Sequence, residues 1–239
     1  MDNFNETTIL QLTEILQQQL SGSQSEWLND AIKNIQSNHD SQDTQLLLSA
    51  MASRKLSSEA LHNLRGKWNI DEAARVLLLQ SYIDSSQSNS GQSSHYDASW
   101  QAYRIGDENE KTAYIKGLSM LDPKGELLDI ALHTGRTNNV HLFSAIALHN
   151  TYPAKYYDDG AFEQLVLKAL FLGLNIAHVE SLPQRLHPEL SDKCMDLVRE
   201  RLAADRSPPI SIWLAIDISH LDDNSQALYL KFLSDPEKE

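Results

Sequence analysis

The chain has a single cysteine, Cys194, among 239 residues. One thiol makes no internal disulfide and cannot by itself hold a structural zinc, so a stapled small-domain fold is excluded and the cytoplasm is favoured. Glycine is sparse, and the 9 glycines build no Gly-x-Ser-x-Gly elbow, no Walker-type loop and no dinucleotide fingerprint. Cations are also short: 20 Lys and Arg face 33 Asp and Glu, a net charge of −13 with pI near 5.0. Nucleic-acid binding draws its affinity from cations set against phosphates, so nucleic acid is not an expected partner. No apolar run is long. The most apolar window, Leu165 to Ala177, is interrupted by Lys168 and Asn175 and falls short of the ~20 residues a span requires. Met1 to Ile9 carries Asp2 and Glu6 without a basic cluster or apolar stretch, so it does not read as a targeting segment and direct membrane insertion is not expected.

What is present is apolar residues at helical spacing. They make up 41% of the chain against a mean hydropathy of −0.41, enough for a core in a water-facing protein. Ile9, Leu12, Leu16 and Leu20 form one stripe, and Trp27, Leu28, Ala31, Ile32 and Ile35 form a second. Further amphipathic segments are expected over Asp43 to Ser53, Ser58 to Arg65, Asp71 to Ile83, Tyr96 to Ile105 and Glu108 to Leu121, with Trp100, Tyr103, Tyr114 and Leu118 as core candidates. Glu126 to His133, Asn139 to His149, Gly160 to Leu172, Pro188 to Arg206 and Leu221 to Leu233 continue the series, and Gly173 is placed as a helix C-terminal glycine. In Ile210, Ile212, Leu214, Ile216 and Ile218 the apolar residues alternate at strand period. Ser207-Pro208-Pro209 before them reads as a helix start, and no partner strand is expected, so a buried helix is preferred. The class expected is all-α: about a dozen short antiparallel helices in a solenoid-like, HEAT-like array, although no strict repeat is present.

Residues 84–95 are almost entirely Ser, Asn, Gln and Gly, with nothing to bury, and are expected to form a flexible loop. They separate an N-terminal helical part, 1–83, from a C-terminal part, 96–239, that reads as its continuation in one domain. Residues 1–95 hold 11 acids and 6 bases and residues 96–239 hold 22 and 14, so the negative charge is spread along the helices rather than gathered in a tail. Such a surface repels anionic lipid, and a membrane partner would have to be met through a specific docking face.

Chemistry-bearing residues concentrate in His133-Thr-Gly-Arg136-Thr-Asn138-Asn139-Val-His141 and His149-Asn150-Thr-Tyr152-Pro153-Ala-Lys155-Tyr156-Tyr157. His141 and His149 are eight apart, roughly 12 Å along a helix, too far for one ion, so no metal or other cofactor is expected and the histidines read as capping or groove residues. Pro153 holds Tyr152 extended in a rigid loop, Asn150 to Tyr157, that either caps a helix or offers tyrosine faces to a planar ligand. Asp158-Asp159 reads as helix N-terminal charge, and Cys194 as a buried apolar residue without a role.

Gly135-Arg-Thr-Asn138, Leu142-Phe-Ser-Ala-Ile-Ala147, His149-Asn-Thr-Tyr-Pro-Ala-Lys-Tyr156 and Phe162 through Gly173 together resemble the EboA family of bacterial proteins over roughly Leu127 to Leu182. Family members tend to carry Asn-Pro-Tyr-Pro where Asn150-Thr151-Tyr152-Pro153 stands here, and an Asn in place of Glu163. The resemblance implies a helical protein encoded beside a UbiA-like prenyltransferase, with a role in moving a secondary metabolite toward the periplasm. On this reading the chain is a non-enzymatic carrier or adaptor for a small-molecule metabolite or for proteins of the same operon. The expected groove is lined by His133, Arg136, Asn138, His141, His149, Asn150, Tyr152, Pro153, Tyr156 and Lys168, with Arg136 taking an anionic group and the tyrosines stacking on an aromatic or prenylated one. The alternatives are a helical scaffold that binds protein on a concave face and needs no pocket, and a metal-dependent enzyme built on the three histidines.

Overall fold

A computed structural model of the chain describes residues 7–37, 41–90 and 95–233. The fold is all-α apart from one short hairpin. In order come α1 (Ile9–Gln17), α2 (Gly22–Ser37), α3 (Ser41–Leu56), β1 (Ala60–Leu61), β2 (Trp68–Asn69), α4 (Ile70–Ser90), α5 (His95–Ile105), α6 (Glu108–Lys116), α7 (Leu118–Leu121), α8 (Leu128–Gly135) and α9 (Val140–Ala147). They are followed by α10 (Thr151–Tyr156), α11 (Asp159–Phe171), α12 (Pro188–Ala203) and α13 (Asp223–Leu233), with 3-10 turns at Ile176–His178, Leu182–Arg185, Ile210–Ala215 and Ile218–His220. The chain divides into two compact units, Met1–Tyr152 and Pro153–Glu239.

The first unit is organised around α4. Ala73, Ala74, Val76, Leu77, Leu78, Leu79 and Ile83 are all buried, a helix apolar on nearly every side. It packs against α1, α2, α3, α5 and α6. Gly117 sets the closest approach, because a Cβ there would lie 2.6 Å from Cγ2 of Val76. That glycine also interrupts the segment expected to run unbroken from Glu108 to Leu121, leaving α6 and α7. Inside this unit Arg75 donates to Oδ2 of Asp71 at 2.5 Å and the amide Nε2 of Gln45 donates to the Tyr114 hydroxyl at 2.7 Å, while Asp71 Oδ1 and Gln45 Oε1 are buried with no hydrogen-bond partner among the described residues.

Three expectations are corrected here. Ser58 to Arg65 is not a helix. Ser57 (φ 82°), Asn63 (φ 65°) and Gly66 (φ 82°) adopt left-handed backbone, and the chain turns back so that Ala60 pairs with Asn69 and Leu61 with Trp68. The Ser-rich segment is helical as far as Ser90, while residues 91–94 lie outside the described ones. Its serines do not break the helix because Ser81, Ser85 and Ser86 each donate to the carbonyl four residues back, at 2.8–2.9 Å. Asn150 to Tyr157 is likewise not a loop: Thr151–Tyr156 is helical, and Pro153 stands in its first turn, where a missing N–H costs nothing.

In the second unit, Asp158 caps α11 by accepting from the amide of Ala161 at 2.7 Å, as the acidic pair suggested. Gly173 (φ 72°) ends the helix in a Schellman arrangement, with Leu174 N–H bonding the Ala169 carbonyl at 2.9 Å and Gly173 N–H bonding that of Leu170 at 3.1 Å. The alternating segment is neither a strand nor a continuous buried helix. Two 3-10 turns follow the prolines, and their three-residue period puts Ile212 and Ala215 inside while Ile210 is 80% exposed. Arg185 ties this unit together, donating to the carbonyls of Ala154 and Tyr157 and to Asp159 while lying 4.5 Å from the Phe162 ring centroid. No helix among the described residues is long and apolar enough to cross a membrane.

Candidate functional site

A cavity of about 1140 Å³ lies within the first unit among α5, α6, α8 and the start of α9. Helix geometry builds its aromatic wall. Tyr96, Trp100, Tyr103 and Arg104 recur at i, i+4, i+7 and i+8 on α5 and therefore share a stripe. The rings run edge to face: Tyr96 to Trp100 is 6.4 Å between centroids, Trp100 to Tyr103 is 5.9 Å, and His133 of α8 meets Trp100 at 5.8 Å and Tyr103 at 6.1 Å. Such pairs are worth ~0.5–1.5 kcal/mol beyond the area they bury, so the wall is stiff before anything binds.

Tyr103 is the anchor of this wall. Thr134 already donates its hydroxyl proton to the Ile130 carbonyl at 2.8 Å, so the Tyr103 hydroxyl, 2.8 Å from Thr134 Oγ1, must be the donor in that pair. Burial pushes the Tyr103 phenol above its ordinary pKa, which keeps it a donor. Trp100 is only half-buried, which differs from its expected place in the core and leaves ring surface facing the cavity.

The charged lining is inverted relative to the rest of the molecule. Arg104, Lys111 and Arg136 face Asp97 and Glu108, an excess of cations in a chain whose net charge is −13. None of the three cations forms an ion pair with a described residue, and Lys111 Nζ lies 5.8 Å from the Tyr103 ring centroid. Asp107 and Glu110 close a reciprocal capping box at the start of α6, which fixes the turn carrying Glu108 and Lys111. Asn139 lines the far side and caps α9, its Oδ1 accepting from the amides of His141 at 2.9 Å and Leu142 at 3.1 Å.

Of the expected groove residues, the structure brings His133 and Arg136 to this cavity. Asn138 and His141 are exposed nearby but do not line it. His149 adopts φ 55° and backs onto Gly66, where an added Cβ would lie 3.0 Å from its own. Asn150 and Tyr152 are interior. The Asn150 amide donates to the carbonyls of Ile115 at 2.8 Å and Ala145 at 2.9 Å, and the fully buried Tyr152 donates its hydroxyl to Asp122 at 2.6 Å. Neither offers a face to a ligand, so the stacking role expected of Tyr152 is corrected to a structural one. Pro153, Tyr156 and Lys168 belong to the second unit: Pro153 is buried, Tyr156 lies 5.1 Å under Lys155, and burial lowers the pKa of Lys168.

Histidines 133, 141 and 149 form no metal-holding group among the described residues. One group does bring ligand atoms together, Glu163, His187 and Glu189, all within 4.8 Å of one another. The ammonium of Lys193 already bonds the buried carboxylate of Glu163 and the amide of Leu190 donates to Nδ1 of His187 at 3.4 Å, while Nε2 of His187 is buried with no hydrogen-bond partner among the described residues. Cys194 is wholly buried and its thiol is pushed up to about 12 by burial and the adjacent Glu163 charge, which makes it inert as a nucleophile.

Sequence reasoning missed Tyr96, Trp100, Arg104 and Lys111 as site residues. The signal was present, since an aromatic stripe that ends in arginine at i+8 spans roughly 12 Å of helix, but the same pattern also describes a helix face packed into a core.

A family model described as metabolite traffic protein EboA matches residues 8–217 of the chain. The chain belongs to the EboA family. The match extends far beyond the motif-bearing stretch around Leu127 to Leu182 and takes in α1 through the 3-10 turn at Ile210–Ala215, so the cavity between α5 and α9 lies wholly inside the EboA region. No curated protein and no solved structure shows significant similarity to the chain.

Proposed function

We propose that this EboA-family chain serves metabolite traffic as a carrier: it holds a small molecule in the α5–α6–α8–α9 cavity without transforming it. The observation that carries this reading is a cavity of about 1140 Å³ in which a half-exposed tryptophan meets three cations that form no ion pair among the described residues. Sites for small molecules are concave, with a rigid apolar wall and a few polar groups that fix orientation, and both parts are supplied here by α5, α6, α8 and α9. The lining contains no serine or cysteine and pairs no nucleophile with a base, which favours holding over turnover. The diffuse negative surface argues for a cytoplasmic carrier that reaches a membrane-bound operon partner, such as a prenyltransferase, by a specific contact.

The test is genetic. Trp100→Ala and Arg136→Ala, introduced into the native gene, should each abolish export of the operon's metabolite as fully as deletion does while the protein still accumulates folded; Arg136→Ala should melt close to wild type, and Trp100→Ala lower because it forfeits three ring contacts. Normal export by both folded variants would refute the carrier reading and leave a scaffold that uses another surface.

A further inference from the structure

Resting on that carrier reading, we infer that the molecule held is a flat aromatic acid, its rings against Trp100 and its anionic group between Arg104 and Arg136. The cavity is ordered along its length. Tyr96 stands near the start of α5 and Arg104 at its last turn, roughly 12 Å apart along the axis, with the Trp100 and Tyr103 rings between them. Trp100 and Tyr103 both meet His133, which lies in the last turn of α8, so the C-terminal turns of α5 and α8 are neighbours. Arg104 occupies the last turn of α5 and Arg136 the C-cap of α8. The two guanidinium groups therefore enter the cavity from the same end, and Lys111, over the Tyr103 ring, adds a third cation there.

A helix C-terminus favours a cation, which accounts for either arginine alone. It does not account for two of them, with a lysine, converging on a partly exposed tryptophan without a carboxylate in salt-bridge contact among the described residues. Glu108 is the one acid on α6 that lines this end, and it leaves the end net positive. Guanidinium forks match a carboxylate, sulfonate or phosphate oxygen pair, and the rings adjoining them favour a π-face over an alkyl chain. Tyr96, whose hydroxyl donates to Asp129 at 3.3 Å, marks the opposite end, and its oxygen suits a hydroxyl or ring N–H on the ligand's far edge.

Three probes test this by calorimetric titration of the full chain: naphthoate, the uncharged naphthamide, and decanoate as an anion without rings. Naphthoate should bind with a Kd about tenfold or more below that of naphthamide, the scale of one charge-assisted contact, and below that of decanoate through the ring contact with Trp100. Arg104→Gln with Arg136→Gln should erase the preference for naphthoate over naphthamide, and Trp100→Leu the preference over decanoate. Both arginines are exposed, so the double variant should melt as wild type does. Equal affinity for all three probes, or no saturable binding of naphthoate, overturns the ligand class. If a metabolite still co-purifies with wild type but not with Trp100→Ala, only the class has failed; if co-purification is indifferent to Trp100→Ala, the carrier reading has failed too.

Discussion

Tyr152 offers the sharpest separation between a structural and a ligand-contacting reading of the motif His149-Asn-Thr-Tyr-Pro. Its side chain is fully buried and its hydroxyl donates to Oδ2 of Asp122 at 2.6 Å. Asp122 is itself only 1% exposed, and the same oxygen accepts from the amide of Leu127 at 2.6 Å, while Oδ1 accepts from that of Lys124 at 3.3 Å. A buried carboxylate held by neutral donors depends on each of them, and a hydrogen bond to a charged group is worth ~1.5–3 kcal/mol. Tyr152→Phe keeps the ring and removes one donor, so it should cost about 2 kcal/mol, or roughly 4–8 °C in melting temperature for a chain of this size. Calorimetry of Tyr152→Phe, Asp122→Asn and the double variant checks the assignment: in the Asp122→Asn background the tyrosine substitution should cost about 1 kcal/mol less, because the charge is gone. If Tyr152→Phe melts like wild type yet loses the co-purifying metabolite, the hydroxyl faces a ligand and the structural reading is wrong.

Gly117→Ala should destabilise the chain by about 1–3 kcal/mol because the new Cβ meets Val76, and Val76→Ala in the same chain should recover part of that loss in a denaturant melt. The Tyr114 phenol is pushed from 10.0 up to about 12 by burial, so the folded state holds its proton where the unfolded chain releases it. Its contribution is complete below pH 10 and drains away as pH rises toward 12; Tyr114→Phe should flatten that alkaline slope while lowering stability at neutral pH, and an unchanged slope would place the phenol in contact with water. Cys194, buried with its thiol raised to about 12, should resist iodoacetamide at pH 8 in the native state and react promptly in denaturant; rapid native labelling would contradict its burial.

How much was legible in advance follows from which forces act locally. The stripes of α1, α2 and α3, the cap at Asp158 and the glycine at 173 depend on neighbours within one or two turns, and these were readable. The Ser-rich end of α4 was misread because composition says that nothing there can be buried, whereas Ser81, Ser85 and Ser86 return their hydroxyls to carbonyls within the helix. The hairpin at Ala60 and Trp68 depends on left-handed residues that are not all glycine, which a helical pattern conceals. The candidate site was legible only in part. His133 and Arg136 stand out in sequence because they adjoin the family motif, and they do reach the cavity. Asn150 and Tyr152 stand out equally and are core, because burying an amide and a phenol against specific carbonyl and carboxylate partners also demands particular residues. Trp100, Arg104 and Lys111 come from helices with ordinary composition, and only the meeting of α5 with α6 and α8 turns them into a wall.

The central claim is that the cavity beside Trp100 holds a small molecule, and native mass spectrometry of the chain purified from its own source tests it most directly. The account predicts one additional mass, carried at near-stoichiometric level by wild type, lost from Trp100→Ala and from Arg104→Gln with Arg136→Gln, and retained by Lys168→Ala, whose side chain lies in the other unit. A bare wild-type mass, or an adduct that survives all of these substitutions, would contradict it.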